Sequence, residues 1–170
     1  MPEARPSWSR WLAVSACIVV ADLATKAWVS GGFRYGEVRE ITPFFNLVLV
    51  HNTGAAFSFL AGAGGWQRWF FALITVAIST ALVVMLRRHA GNRLLATAFS
   101  LVLGGALGNL HDRLRFGYVV DFIQVHAAGY YWPAFNVADS AICVGVALLL
   151  WDSVRPAGAP ARPAASQEKP

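Results

Sequence analysis

Six side chains capable of chemistry gather between residues 104 and 140 of a chain that is otherwise close to continuous hydrocarbon: Asn109, Asp112, Arg113, Asp121, Asn136 and Asp139. A carboxylate near a membrane core is costly unless it is paired or used. Asp121 closes a short β-rich run, Tyr118-Val119-Val120, and Asp139 lies one helical turn after Asn136, at the start of a long apolar segment. If the two aspartates meet, both cannot ionise cheaply, so one pKa rises and the pair shares a proton. That state suits general acid–base hydrolysis. One carboxylate takes a proton from water and the other donates to the reacting carbonyl or the leaving amine. The N-terminus of the helix carrying Asp139 favours the remaining negative charge. On these residues alone a proton or cation path through a membrane is equally compatible, and a non-catalytic scaffold is a third reading. Ser58 and Ser140 have no base at a recognisable spacing. His51, His111 and His126 are scattered without paired spacing, so neither a metal nor another cofactor is expected.

The elements that must position these groups follow from composition. The chain of 170 residues is 56% hydrophobic and 14% charged, against about 45–50% and about 25% in soluble domains. Four stretches approach the roughly 20 residues that a helix needs to cross a bilayer: about 11–29, 66–86, 94–110 and 134–151. The expected fold is an all-α membrane bundle of four transmembrane helices with a small extracytoplasmic β-sheet between helices 1 and 2. One membrane domain spans 1–154, and the Pro/Ala-rich residues 155–170 form a disordered cytoplasmic tail. The two ends and the turn between spans two and three hold eight of the 14 Lys and Arg but three of the nine acids. Both termini are therefore expected in the cytoplasm, with 30–65 and 111–133 outside. Trp8, Trp11 and Trp151 mark one interface, and Trp28, Trp66, Trp69 and Trp132 the other. The first span reads as retained rather than as a cleaved leader. Cys17 and Cys143 read as buried small hydrophobes.

Within this frame Asp22 and Lys26 stand four apart on one helix face, the spacing of an ion pair. Val38–Ile41 and Phe44–Val50 read as strands, followed by a turn at Asn52-Thr53-Gly54. The small run Gly54-Ala55-Ala56 leaves room for another backbone to approach. Gly104, Gly105 and Gly108 allow close helix packing. Asp112 and Arg113 are expected just past the end of the third helix. Asp139 is expected about six residues inside the fourth span.

Together these pieces resemble the lipoprotein signal peptidases, bacterial signal peptidase II. The matching segments are Asp22-x-x-x-Lys26, Asn52-Thr53-Gly54-Ala55-Ala56-Phe57, Gly104-Gly105-Ala106-x-Gly108-Asn109-x-x-Asp112-Arg113, Gly117-Tyr118-Val119-Val120-Asp121-Phe122 and Phe135-Asn136-x-Ala138-Asp139. They occur in order over roughly residues 12–152. The resemblance implies an aspartyl endopeptidase of the bacterial inner membrane, acting at its outer face. Such an enzyme cuts the signal peptide from a prolipoprotein just before its diacylglyceryl cysteine. It implies Asp121 and Asp139 as catalytic residues, and Asn52, Gly54, Asn109, Asp112, Arg113 and Asn136 as substrate-binding or supporting ones. Asp22 and Lys26 become a structural ion pair. It further implies no metal, contact with membrane lipid, inhibition by globomycin-type cyclic peptides, no nucleic-acid partner and a monomer.

Overall fold

The computed structural model describes residues 7–54, 62 and 64–155. Four helices run through it: α1 (Ser9–Gly32), α2 (Gln67–His89), α3 (Arg93–Phe116) and α4 (Val137–Val154). All four are long and apolar enough to cross a membrane. Large side chains such as Leu73, Val76, Val144 and Leu150 point outward, as they should where the surroundings are hydrocarbon. The strands are β1 (Val38–Thr42), β2 (Phe45–Asn52), β3 (Val119–Ala127) and β4 (Tyr130–Tyr131). They form one antiparallel sheet in the order β1-β2-β3-β4.

The sheet is not built between helices 1 and 2 alone, as the sequence pattern suggested. Only β1 and β2 lie there, and β3 and β4 come from the connection between α3 and α4. The apolar run ending at Asp121 supplies the second half. Val119, Val120 and Phe122 of β3 are buried, and Val120 and Phe122 pack with Val29 and Leu49 to seat the sheet on the helices. In β2 the register against β3 slips by one residue between Leu47 and Val50. That bulge lets the consecutive residues Val48 and Leu49 both turn inward, which a regular strand forbids. It also sets Val50 opposite Asp121.

Helix α3 is the axis of the bundle. It starts on Asn92, whose side-chain oxygen accepts from the Leu94 and Leu95 amides, satisfying two orphan donors. It ends at Gly117 with φ 85°, a conformation that suits glycine. The third helix therefore continues well past residue 110, and Asp112 and Arg113 lie on it rather than beyond it. Its small residues make the packing possible. A Cβ on Gly108 would stand 2.6 Å from an oxygen of Asp22, and one on Gly104 would stand 2.8 Å from the Ser15 carbonyl oxygen. Towards the end remote from the sheet, Leu82, Leu86, Ala96, Phe99 and Leu103 form an apolar core. There Trp11 Nε1 donates to the Ala90 carbonyl at 3.2 Å.

Cys17 and Cys143 are exposed, not buried. A small apolar residue on the lipid side of a helix carries no burial signal in the sequence. Residues 156–170, where a disordered tail was expected, and Ala55 and Ala56 of the expected small-residue groove lie outside the described residues.

Candidate active site

The sheet and the upper ends of α3 and α4 enclose a cavity of about 760 Å³. Asp121, Asp139, Asn52, Asn109 and Arg113 all face it, beside apolar Val50, Trp132 and Ile142. The five polar groups arrive from four elements. Asn52 ends β2, Asp121 is the third residue of β3, Asn109 and Arg113 project from α3, and Asp139 lies in the first turn of α4.

Asn136 joins them. It is fully buried and caps α4. Its side-chain oxygen accepts from the Asp139 amide at 2.9 Å, while the Asn136 amide donates to Asp139 Oδ2 at 3.2 Å. This is a capping box. The Asn136 Nδ2 donates to Asp121 Oδ1 at 2.7 Å, and also reaches the Val120 carbonyl and Asn109 Oδ1, each at 3.2 Å. One residue thus meets both carboxylates, Asp121 through its side chain and Asp139 through its backbone amide. Each has a second amide donor: Asn109 Nδ2 to Asp139 Oδ1 at 2.7 Å, and Asn52 Nδ2 to Asp121 Oδ2 at 3.2 Å. Because the cap is Asn136, Asp139 occupies the first turn, not a position six residues into the helix. There the helix dipole favours its negative charge.

Burial, followed by the neighbouring charge of Asp139, pushes Asp121 up to about 7; the amides of Asn52 and Asn136 act against this. A carboxyl with that affinity holds or releases a proton near neutral pH, as acid–base catalysis requires.

Beneath the two aspartates lies an ionic cluster. Lys26 Nζ stands 2.7 Å from Asp22 Oδ2, 2.9 Å from Asp112 Oδ2 and 3.0 Å from Asn109 Oδ1. Asp112 Oδ2 also accepts from the Val120 amide at 3.1 Å, and Asp22 Oδ1 from the Ala138 amide at 2.9 Å. The expected Asp22–Lys26 pair is present, and Asp112 joins it. The part played by Asp112 was not legible from its place near a helix end, because its partner lies on α1. Arg113 donates to the Gly54 carbonyl at 3.0 Å and to the Asn109 carbonyl at 3.4 Å, and lies over Phe71. Gly54 is thereby tied to the site, its own amide donating to Asn52 Oδ1 at 3.0 Å. His51 stacks between Tyr35 and Tyr118, and burial pushes its pKa down. Both favour a neutral packing role. Among the described residues no group of three or more His, Cys, Asp or Glu is arranged to hold a metal ion.

Sequence reasoning named both cavity carboxylates and their amide donors. It missed that Asn136 caps the helix, although an Asn three residues before an Asp at the start of an apolar run is the signal of a capping box.

The family described as signal peptidase (SPase) II matches residues 14–155. A lipoprotein signal peptidase of Janthinobacterium sp. (strain Marseille) is 49% identical over 148 residues, covering 87% of this chain and 90% of the relative. One from Ralstonia nicotianae is 54% identical over 145 residues, covering 85% and 84%. Two solved structures of bacterial membrane enzymes superpose with TM-scores of 0.79 and 0.77 at 34% identity, covering 91% and 88% of this chain and 95% of each of theirs.

Proposed function

The chain belongs to the signal peptidase II family, and on that premise we propose that Asp121 and Asp139 are the catalytic pair with which it cuts. The activity is that of an aspartyl endopeptidase removing the signal peptide from prolipoproteins. The observation that carries the residue assignment is the double hold of Asn136 on both carboxylates, at the mouth of α4 and against the cavity.

In this reading Asp121, pushed up to about 7, carries the proton at rest. Asp139 sits at the helix N-terminus with two N–H donors. It draws a proton from water as the water attacks the scissile carbonyl, and Asp121 gives its own to the carbonyl oxygen. The proton on Asp139 then passes to the leaving amine as the C–N bond breaks. A hydroxyl of the tetrahedral intermediate returns a proton to Asp121 and becomes the carbonyl of the product acid, which restores the resting pair by general acid–base catalysis between two carboxyls in unlike settings. Asn52, Asn109 and Asn136 hold the carboxylates. Arg113 bounds the cavity and holds the Gly54 carbonyl beside it, and Asp112 with Asp22 and Lys26 supports the base of the site.

The apolar wall of Val50, Trp132 and Ile142 suits a substrate whose cleavage point is flanked by an apolar helix and by the acyl chains of a diacylglyceryl cysteine. Globomycin-type cyclic peptides would fill the same space. The bias of Lys and Arg supports placing both termini in the cytoplasm and the cavity at the outer face of the inner membrane. Exposed Trp28, Trp69, Tyr130 and Trp132 at the sheet end suit contact with lipid headgroups there. Residues 1–154 act as one membrane domain and the enzyme works as a monomer without nucleic acid or cofactor.

The test is cleavage of a diacylglyceryl prolipoprotein by purified protein in detergent. Wild type should cut, and Asp121→Asn and Asp139→Asn should not, with both variants folded. Cleavage surviving either change removes the pair.

A further inference from the structure

The ionic cluster below the pair does more than neutralise buried charge. We propose that Lys26 is a positioning residue for the reaction, fixing which end of the Asn109 amide meets Asp139 and tethering the backbone just before each catalytic aspartate. This rests on Asp121 and Asp139 being the catalytic pair.

An ammonium carries three donors and no acceptor. Three oxygens stand around Lys26 Nζ: Asn109 Oδ1 accepts its hydrogen bond at 3.0 Å, and Asp22 Oδ2 and Asp112 Oδ2 lie at ion-pair distances of 2.7 and 2.9 Å. The end of the Asn109 amide facing Lys26 must therefore be oxygen. Its Nδ2 is then aimed at Asp139 Oδ1, 2.7 Å away. No reversal of that amide keeps both contacts. The two carboxylates bound to Lys26 are themselves spent on the site. Asp112 holds the amide of Val120, the residue before Asp121, and Asp22 holds the amide of Ala138, the residue before Asp139. One ammonium thus spans tethers to both members of the pair. It faces two carboxylates, so the cluster is not a balanced ion pair serving neutrality alone.

Without the ammonium, Asn109 Oδ1 keeps only Asn136 Nδ2, which is shared with Asp121 and Val120. Asn109 can then present oxygen to Asp139, which is tolerable only when Asp139 is protonated and unable to act as base. The charged and titratable groups around this relay are Asp22 from α1, Asp112, Arg113 and His111 from α3, Asp121 from β3 and Asp139 from α4. Each keeps its place in the variants below unless it is itself replaced.

The experiment follows cleavage of a diacylglyceryl prolipoprotein against pH, with unfolding temperature recorded. It compares wild type, Lys26→Met/Asp112→Asn, which removes the cation together with one of its anions, and Asn109→Asp, which puts an oxygen where the donor was. The double variant should lose about tenfold or more in kcat with KM within about twofold, and the acidic limb of its profile should move up by about half a pH unit or more. Asn109→Asp should lose kcat and recover part of it on acidification, as the introduced carboxyl regains a proton to donate. If the double variant does not fold, Asn109→Asp alone decides. A wild-type kcat and pH profile in the variants overturns the proposal. So does a lower unfolding temperature with kcat and KM falling together and the profile unmoved. Asp121→Asn and Asp139→Asn run alongside. If either still cuts, the catalytic pair itself is wrong. If both are dead while the Lys26 and Asn109 variants behave as wild type, only the role of Lys26 falls.

Discussion

Asp22 and Asp112 below, and Asp121 and Asp139 above, are two pairs of the same residue in one polar seam. Burial does not separate Asp112 from Asp121, although Asp139 is only half-buried. Asp112 is 1% exposed and Asp121 is 2% exposed. What differs is the partner. The lower pair shares an ammonium and spends its oxygens on that cation and on backbone amides. Among the described residues the upper pair receives amide donors and opens on a cavity. Arg113, the nearest cation to the cavity, directs its hydrogen bonds to backbone carbonyls rather than to either carboxylate. Carboxylates whose oxygens are spent on a cation and on backbone amides serve as scaffold. Asp121, buried near the charge of Asp139, is pushed up to about 7, and the cavity gives its proton somewhere to go.

Exchanging the fates of the two pairs is the strongest way to break this contrast. Asp139→Asn and Asp121→Asn should each lower kcat by about 10³-fold or more while the protein stays folded. Asp112→Asn should chiefly lower the unfolding temperature, because Lys26 is left with one carboxylate. If Asp112→Asn is as dead as Asp139→Asn and as stable as wild type, the division between scaffold and chemistry is wrong.

Asn136 belongs to the upper pair alone, so Asn136→Ala sharpens the comparison without touching a charge. It removes a helix cap, worth about 0.5–2 kcal/mol, and leaves buried acceptors on Val120 and Asp121 unmatched at about 1–3 kcal/mol. A kcat loss of about 10²-fold is expected, together with a lower unfolding temperature. Cleavage kinetics beside thermal unfolding would show whether both move.

Gly108→Ala reaches the lower pair through packing. The added methyl would meet Asp22 Oδ2 at 2.6 Å, and Asp22 is held by Lys26 and Ala138, so α1 or α3 must shift. Overpacking of this kind costs about 1–3 kcal/mol. Because Asp22 tethers the backbone before Asp139, about a tenfold fall in kcat should accompany it. An unchanged unfolding temperature would mean that the α1–α3 contact is softer than its geometry suggests.

Much of this was legible in the chain. The four apolar stretches, the β-rich runs and the two acids at segment ends each carry a local signal of composition or period. What stayed hidden depends on contacts between distant segments. Nothing near Asp112 announces that its partner is Lys26 on α1, and a helix ending at Gly117 instead of near residue 110 is set by a single positive φ. The second half of the sheet was hidden for the same reason. Val119-Val120 reads as a strand, but only its pairing with His51 and Asn52 makes it part of the sheet begun by β1 and β2. The bulge after Leu47 has no sequence mark at all, yet it decides which residue stands opposite Asp121.

The smallest effect tests the same contrast through stability alone. Asp121 is pushed up to about 7 from 3.8, so the folded protein binds a proton that the unfolded chain has released. The stability this contributes is fully present below about pH 4 and is lost as pH rises through about 7. Asp121→Asn does not titrate and escapes the loss. The ceiling on its advantage above pH 7 is roughly three pH units at about 1.36 kcal/mol each, or about 4 kcal/mol. The introduced amide matches the donors of Asn52 and Asn136 less well than a carboxyl does, which removes about 1–3 kcal/mol of that. About 1 kcal/mol should remain, a rise of a few degrees in unfolding temperature at pH 8 that reverses to a fall by pH 4, where only the poorer hydrogen bonding is left. Asp112→Asn, which takes a carboxylate from Lys26, should instead unfold at a lower temperature than wild type at pH 8. Thermal unfolding of the three proteins in detergent at pH 4, 6 and 8 separates the cases. A difference between wild type and Asp121→Asn that is the same at all three values would place the labile proton elsewhere than on Asp121.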